Sequence, residues 1–175
     1  MIIRREEIHD HNEVFQLIAD AFKDEKYTDH QEQFLVERLR KSPSFVPELS
    51  LVAELDQKIV GYILLPKIKI IGNESENTTS LALAPVAVLK AYQGRGIGGL
   101  LIRKAHEIAK ELNFGSVILL GHATYYPKFG YEMTKNHGIT LPFDVPEENC
   151  MLIELRENAL ENIQGMVEYP KEFYG

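Results

Sequence analysis

The sequence predicts a single α/β domain of the α+β kind, with both antiparallel and parallel strand pairing. Three observations carry that. The chain has 175 residues, 45% of them hydrophobic, which suits one domain with a real core, residues 1–175. Short strand-like runs alternate with longer runs of helical period. Early strands are joined by hairpin signals, whereas a strand–helix–strand run in the middle of the chain calls for a parallel pair.

Met1 to Arg5 reads as a short first strand. Asp10 is placed to cap a helix beginning near His11, with Glu13 in the capping-box position. Val14, Leu17, Ile18, Ala21 and Phe22 then recur at helical spacing. Asp29 is placed to cap a second helix carrying Phe34, Leu35 and Leu39, with basic residues in its last turn and a stop at Ser42-Pro43. Leu49 to Leu55 and Lys58 to Ile71 read as two strands around a turn at Asp56-Gln57. Residues 72–77 form a polar loop. Leu81 to Leu89 is apolar on both faces and reads as the buried central strand.

A helix follows, with a core stripe of Ile97, Leu101, Ala105, Ile108 and Leu112 and a stop at Asn113 to Gly115. Val117 to Leu120 reads as a short buried strand, and Ile139 to Leu141 and Met151 to Arg156 as two final strands. The tail carries Tyr169, Phe173 and Tyr174 and is expected to pack on the domain.

Between the central strand and that helix lies Gln93-Gly94-Arg95-Gly96-Ile97-Gly98-Gly99. The first N–H groups of a helix have no intrahelical acceptor and stand at its positive dipole end. A glycine-rich turn leading into them cradles an anion, a pyrophosphate above all. Glycine takes the Cβ out of the way, and Arg95 adds a charge-assisted donor. Gly94, Gly96 and Gly99 also fit the dinucleotide spacing. That fingerprint needs a strand running straight into the first glycine and an acid about 20 residues later. Here residues 90–93 intervene, and Leu119, Leu120, Gly121 and His122 stand where the acid belongs. A Walker loop is missing its Gly-Lys-Ser/Thr.

The better match is Gln/Arg-x-x-Gly-x-Gly/Ala, met by Gln93, Gly96 and Gly98. Together with Val86 to Tyr92 and the helix behind it, this stretch resembles the coenzyme A signature of the GCN5-related N-acetyltransferase (GNAT) superfamily. The run Tyr125 to Tyr131 is similar to the family's C-terminal motif, in which a tyrosine stands four residues before a Gly-aromatic pair, the place Tyr126 holds before Gly130. Leu49 to Glu54, Leu81 to Gly98 and Tyr125 to Tyr131 resemble a bacterial group of uncharacterised predicted acetyltransferases.

The resemblance implies a mixed, mostly antiparallel central sheet, splayed between strands 4 and 5, with helices on both faces. It also implies an acetyl-coenzyme A-dependent N-acetyltransferase that passes the acetyl group to a primary amine by direct attack on the thioester, with no metal. Carried over by position, the coenzyme contacts are Val86, Ala87, Val88, Gln93, Gly94, Arg95, Gly96, Ile97, Gly98 and Gly99. The Val88 backbone N–H would polarise the thioester carbonyl, and Tyr126 would serve as general acid. A phenol near pKa 10 is protonated at pH 7 and can donate to a leaving thiolate near 8.5. Pro85, without an N–H, fits the irregular strand the family has there. Tyr125 is expected to face another way. The family often has an asparagine upstream of the tyrosine; this chain reads Gly121-His122-Ala123-Thr124.

The base is left open between Glu54, Glu32, Glu37 and a water relay. His122 lies beside the expected cleft. His9 and His11 have no third ligand in view, so no metal site is expected. Net charge is −7, which argues against nucleic acid and suits a small-molecule or peptide amine. No apolar run is long enough to span a membrane. The amino-terminal text lacks a signal-peptide core. A single cysteine, Cys150, excludes an intrachain disulfide and reads as packing. The expectation is a cytoplasmic protein. The acceptor, expected at residues 22–29 and after Tyr131, stays open, as does assembly, a homodimer included. A non-catalytic acyl-coenzyme A-binding sensor or partner module is the second reading.

Overall fold

The computed structural model describes residues 1–73 and 77–175. Residues 74–76 of the expected polar loop lie outside them. The regular elements are β1 (Ile2–Arg5), α1 (His11–Phe22), α2 (Glu32–Arg40), β2 (Ser50–Leu55), β3 (Lys58–Leu64), β4 (Lys67–Ile71), β5 (Asn77–Ala82), β6 (Val86–Val88), α3 (Ile97–Glu111), β7 (Ser116–Leu120), β8 (Glu132–Met133), β9 (Ile139–Thr140), β10 (Cys150–Glu154) and β11 (Gly165–Glu168). No described helix is long and apolar enough to cross a membrane.

The strands form two sheets, β1-β2-β3-β6 and β8-β10-β7-β5-β4-β11-β9. Two prolines make the division. The run Lys58 to Ile71 reads as one strand in sequence but breaks at Leu65-Pro66, and the run Leu81 to Leu89 breaks at Ala84-Pro85, a cis peptide. A residue without an N–H cannot donate to a ladder, so the pairing changes sheet at each proline. Their neighbourhoods are joined by Leu64 N–H to Pro85 O at 3.1 Å, Ala84 N–H to Leu64 O at 3.0 Å and Ala82 N–H to Pro66 O at 2.9 Å. The expected hairpin is present: Asp56 and Gln57 both take left-handed φ, at 50° and 63°, as the turn favoured by twisted strands requires. β5 and β7 are parallel, as the strand–helix–strand run demanded.

α1 and α2 cover one face, where Val14, Leu17, Ile18, Val36 and Leu39 pack on Val52, Tyr62, Leu64 and Ala87. α3 covers the other, where Ile97, Leu101, Ile102, Ala105 and Ala109 meet Ala53, Val60, Ile63 and Leu119. Leu112, expected on this stripe, is 39% exposed, because α3 ends at Glu111 and Asn113 turns left-handed. A third cluster lies under the carboxy-terminal segments, with buried Cys150 and Tyr169 and half-buried Phe173; Tyr174 stays exposed. Neither β8 nor β11 was legible as a strand.

Three amino-terminal expectations change. Asp10 precedes α1 but does not cap it. Its carboxylate takes Arg4 Nη1 at 2.7 Å and Glu7 N–H at 2.8 Å. Glu13 accepts the Ile59 N–H at 2.8 Å and so ties α1 to β3 instead of closing a capping box. Asp29 does not cap α2 either: the N-cap is Gln31, and the Asp29 carboxylate accepts the Gln31 N–H at 2.9 Å, a turn just ahead of the helix.

Candidate active site

The site begins where β6 leaves β7. Leu81 and Ala82 pair with Val117 and Ile118, and the last bond is Leu83 N–H to Ile118 O at 3.0 Å. Beyond it β6 pairs with β3, in the register Ile63 to Val86, Tyr62 to Ala87 and Gly61 to Val88. The bonds Leu64 N–H to Pro85 O and Leu89 N–H to Val60 O fix which pairs are hydrogen-bonded. By antiparallel alternation the Ile63–Val86 and Gly61–Val88 pairs are not. The backbone groups of Val86 and Val88 therefore point away from β3, into the gap, while those of Ala87 face Tyr62. Of the three β6 residues expected to meet the coenzyme, two offer backbone polar groups to the gap.

The gap runs into the glycine loop. Gly94 and Gly96 are left-handed, at φ 74° and 80°, and nothing lies within 4 Å of where their Cβ atoms would be. This is a bare, open backbone. Gly96 is the N-cap of α3 and its carbonyl accepts the Leu100 N–H at 3.0 Å. The N–H groups of Ile97, Gly98 and Gly99 belong to the first turn, which lacks intrahelical acceptors. The next two glycines do a different job. A Cβ on Gly98 would meet the Tyr125 hydroxyl at 3.3 Å, and one on Gly99 would meet Arg103 Nη1 at 3.1 Å and the Phe129 ring at 3.4 Å. Gly94 and Gly96 shape the loop, and Gly98 and Gly99 let the Tyr125–Phe129 segment dock on the helix start.

Cations surround this loop in a chain of net charge −7. The Arg95 guanidinium lies 5.1 Å from the Tyr92 ring centroid, and Lys58 Nζ lies 5.8 Å from it. Arg103 lies 4.9 Å from the Phe129 ring and Lys128 Nζ 4.0 Å from the Tyr125 ring. Among the described residues none of the four is ion-paired with a carboxylate. Aromatic faces hold them without neutralising them, so their charge is available to an anion. Of the four, sequence reasoning found Arg95 alone.

The two tyrosines sit differently from each other. Tyr126 is 8% exposed, its ring packed against Gly121 and 5.8 Å from the Tyr131 ring. Its hydroxyl has no protein partner among the described residues and keeps contact with solvent. Burial, with a smaller effect from Tyr125, pushes its pKa up to about 12. Tyr125 faces another way than Tyr126, and the way it faces is toward the start of α3, where its hydroxyl stands beside Gly98. Gln93, expected in the cradle, directs its side-chain amide to the Val88 carbonyl at 3.1 Å.

The structure does not bring Glu54 to the gap. It lies on β2, two strands from β6, and its Oε2 takes Arg4 Nε at 2.9 Å, so its carboxylate is committed to an ion pair. Glu32 has a buried, unpartnered Oε2, and burial raises its pKa. Glu37 and His122 are exposed. A recess of about 220 Å³ lies between α1 and α2, lined by Ala19, Phe22, Lys23, His30 and Gln33. A cavity of about 360 Å³ lies elsewhere, beside Pro43, Lys67, Lys69 and Tyr169. It does not involve the glycine loop. Among the described residues, Glu132, His137 and Glu154 alone have the composition of a metal site, with ligand atoms within 4.8 Å of one another. Glu154 already accepts the Leu160 N–H at 2.9 Å and Glu132 bonds His137, so the group is satisfied by itself.

Comparison with known proteins gives concordant results. Residues 11–131 match the model of the acetyltransferase (GNAT) family. An uncharacterised N-acetyltransferase, YjhQ of Escherichia coli, is 39% identical over 127 residues, 71% of this chain and 70% of that protein. The crystal structure of the E. coli GNAT family N-acetyltransferase YhbS in complex with CoA superposes with a TM-score of 0.89 at 26% identity, covering 99% of this chain and 92% of that one. A Brucella melitensis GNAT family acetyltransferase in complex with acetyl-CoA gives a TM-score of 0.81 at 29% identity, covering 98% and 97%.

Proposed function

The chain belongs to the acetyltransferase (GNAT) family and is an acyltransferase; from that premise we propose that it moves the acetyl group of acetyl-coenzyme A to a primary amine by direct attack on the thioester. The observation that carries this reading is the gap beside β6. It has unpaired backbone groups along one wall and ends at a bare helix start ringed by cations. That arrangement suits a strand-like arm ending in a diphosphate. The relatives held with CoA and acetyl-CoA support the choice of ligand.

Three groups of the chain then have work to do. The first-turn N–H groups of 97–99, with Arg95, hold the diphosphate against the helix dipole. Val88 N–H, fixed in β6 and aimed into the gap, donates to the thioester oxygen as charge builds there. A pre-placed backbone donor of this kind is worth about 3–4 kcal/mol. The Tyr126 hydroxyl donates to the departing sulfur. With its pKa at about 12, against roughly 8.5 for a thiol, full proton transfer would be uphill by about 5 kcal/mol. Tyr126 therefore acts through a hydrogen bond that strengthens as the thiolate forms, and the amine proton leaves by another route. With Glu54 committed to Arg4, solvent in the open gap provides that route.

The test is thiol release from acetyl-coenzyme A across a panel of amines. Release with at least one amine, and a fall of about 100-fold in kcat for Tyr126→Phe at unchanged coenzyme affinity, is the expected result. Coenzyme binding with no release for any amine would leave a binding module instead.

A further inference from the structure

We infer that the Tyr125 hydroxyl is a coenzyme-binding group, donating a hydrogen bond to the diphosphate at the start of α3 beside the N–H groups of residues 97–99. The inference rests on the reading of this loop as a coenzyme site and adds to it a side chain to which the sequence gave no role.

Position is the first argument. The hydroxyl lies 3.3 Å from the point a Gly98 Cβ would occupy, and Val88 Cγ2 lies 3.7 Å from the same point. The phenol tip and the β6 side chain thus meet at the same point of the helix start, near where a diphosphate would pass into a strand-like arm. Any residue larger than glycine at 98 would crowd it. The second argument is that the hydroxyl is unspent: among the described residues no hydrogen bond involves it, and the half-buried ring leaves it open to a ligand.

The third argument is pre-placement. The ring is held edge-on by Tyr126, with centroids 5.0 Å apart, and by Phe129 at 5.4 Å. Lys128 Nζ sits 4.0 Å from its centroid. Little rotamer freedom remains to be lost on binding, so the contact should show in affinity. Burial raises the Tyr125 pKa, outweighing Arg103, which keeps the group a donor through the physiological range. Tyr126, adjacent in sequence, packs its ring against Gly121 and Tyr131 instead of the start of α3. The two hydroxyls thus serve binding and chemistry separately.

The test is calorimetric titration of the wild-type chain, Tyr125→Phe and Tyr126→Phe with coenzyme A. Tyr125→Phe keeps every ring contact and removes one hydroxyl. A bond to a charged acceptor predicts a Kd about ten- to a hundredfold higher, with the melting temperature of the free protein unchanged and kcat at saturating acetyl-coenzyme A kept within about twofold. Tyr126→Phe should bind coenzyme A as the wild type does. Wild-type affinity in Tyr125→Phe overturns the inference and leaves the coenzyme reading intact. A fall in its kcat at unchanged affinity also overturns it, moving the hydroxyl to the reacting atoms. Absence of coenzyme A binding by the wild-type chain overturns the coenzyme reading itself and this inference with it.

Discussion

The side-chain amide of Gln93 donates to the backbone carbonyl of Val88 at 3.1 Å, tying the first residue of the glycine loop to the strand that walls the gap. The Val88 carbonyl faces away from β3 and has no ladder partner on that side. Gln93 therefore fixes the peptide planes around the residue whose N–H is assigned to the thioester. Gln93→Ala removes one neutral hydrogen bond, about 0.5–1.5 kcal/mol. We expect kcat/KM for acetyl-coenzyme A to fall about two- to tenfold, and further in Gln93→Glu, which sets acceptor against acceptor. Steady-state kinetics decide; three equal rates would remove Gln93 from the site.

Gly96 and Gly98 should respond differently to alanine. At Gly96 the φ is 80° and no atom stands within 4 Å of the added Cβ, so the cost is the left-handed backbone alone. That is about 1–2 kcal/mol, or roughly 2–8 °C in Tm for a chain of this length. At Gly98 the backbone is helical, and the Cβ meets the Tyr125 hydroxyl. Gly98→Ala should hold its Tm and lose coenzyme affinity. Paired melting and titration curves separate the two cases.

His106 should make the fold sensitive to acid. Its Nε2 lies 2.7 Å from the Tyr131 hydroxyl. Burial first, and Arg103 second, push its pKa down to about 4. The unfolded chain takes up this proton near pH 6.5 while the folded chain refuses it until near 4, so stability falls as pH drops through that window. At pH 5 the loss is about 2 kcal/mol. His106→Gln should shrink the drop in Tm between pH 7 and pH 5. An unchanged drop would place the acid sensitivity elsewhere.

A buried charge joins the first helical layer to the sheet. The Glu6 carboxylate takes Arg40 and, at 2.7 Å, Ser50 Oγ, which in turn lies 2.8 Å from the Tyr62 hydroxyl. Arg40→Met leaves the carboxylate without its cation and should cost about 3–5 kcal/mol. Adding Glu6→Gln should restore part of it. Denaturant midpoints of the single and double variants measure the coupling; additive losses would refute it.

The glycine loop, α3 and the strand before it were legible because their signals are local: an apolar run, four closely spaced glycines and a helical stripe. The break at Pro66 was not, since apolar residues continue on both sides and only the exchange of ladder partners reveals it. The motif set Tyr126 apart from Tyr125 but did not show where the Tyr125 ring would go, because adjacent residues in a tight turn diverge. What makes room for each is a glycine: Gly98, remote in sequence, for Tyr125, and Gly121, just after β7, for Tyr126. Glu54 looked free because its partner, Arg4, lies on a strand some fifty residues earlier. Short strands such as β8 and β11 carry too few residues to show a period.

The smallness of Gly98 and Gly99 is imposed from outside their own loop, by aromatic side chains that arrive about thirty residues later. Where a relative carries a slimmer residue at the place of Tyr125, alanine should become admissible at the place of Gly98. The two sites ought to trade volume in step, a bookkeeping that any phosphate ligand would leave untouched.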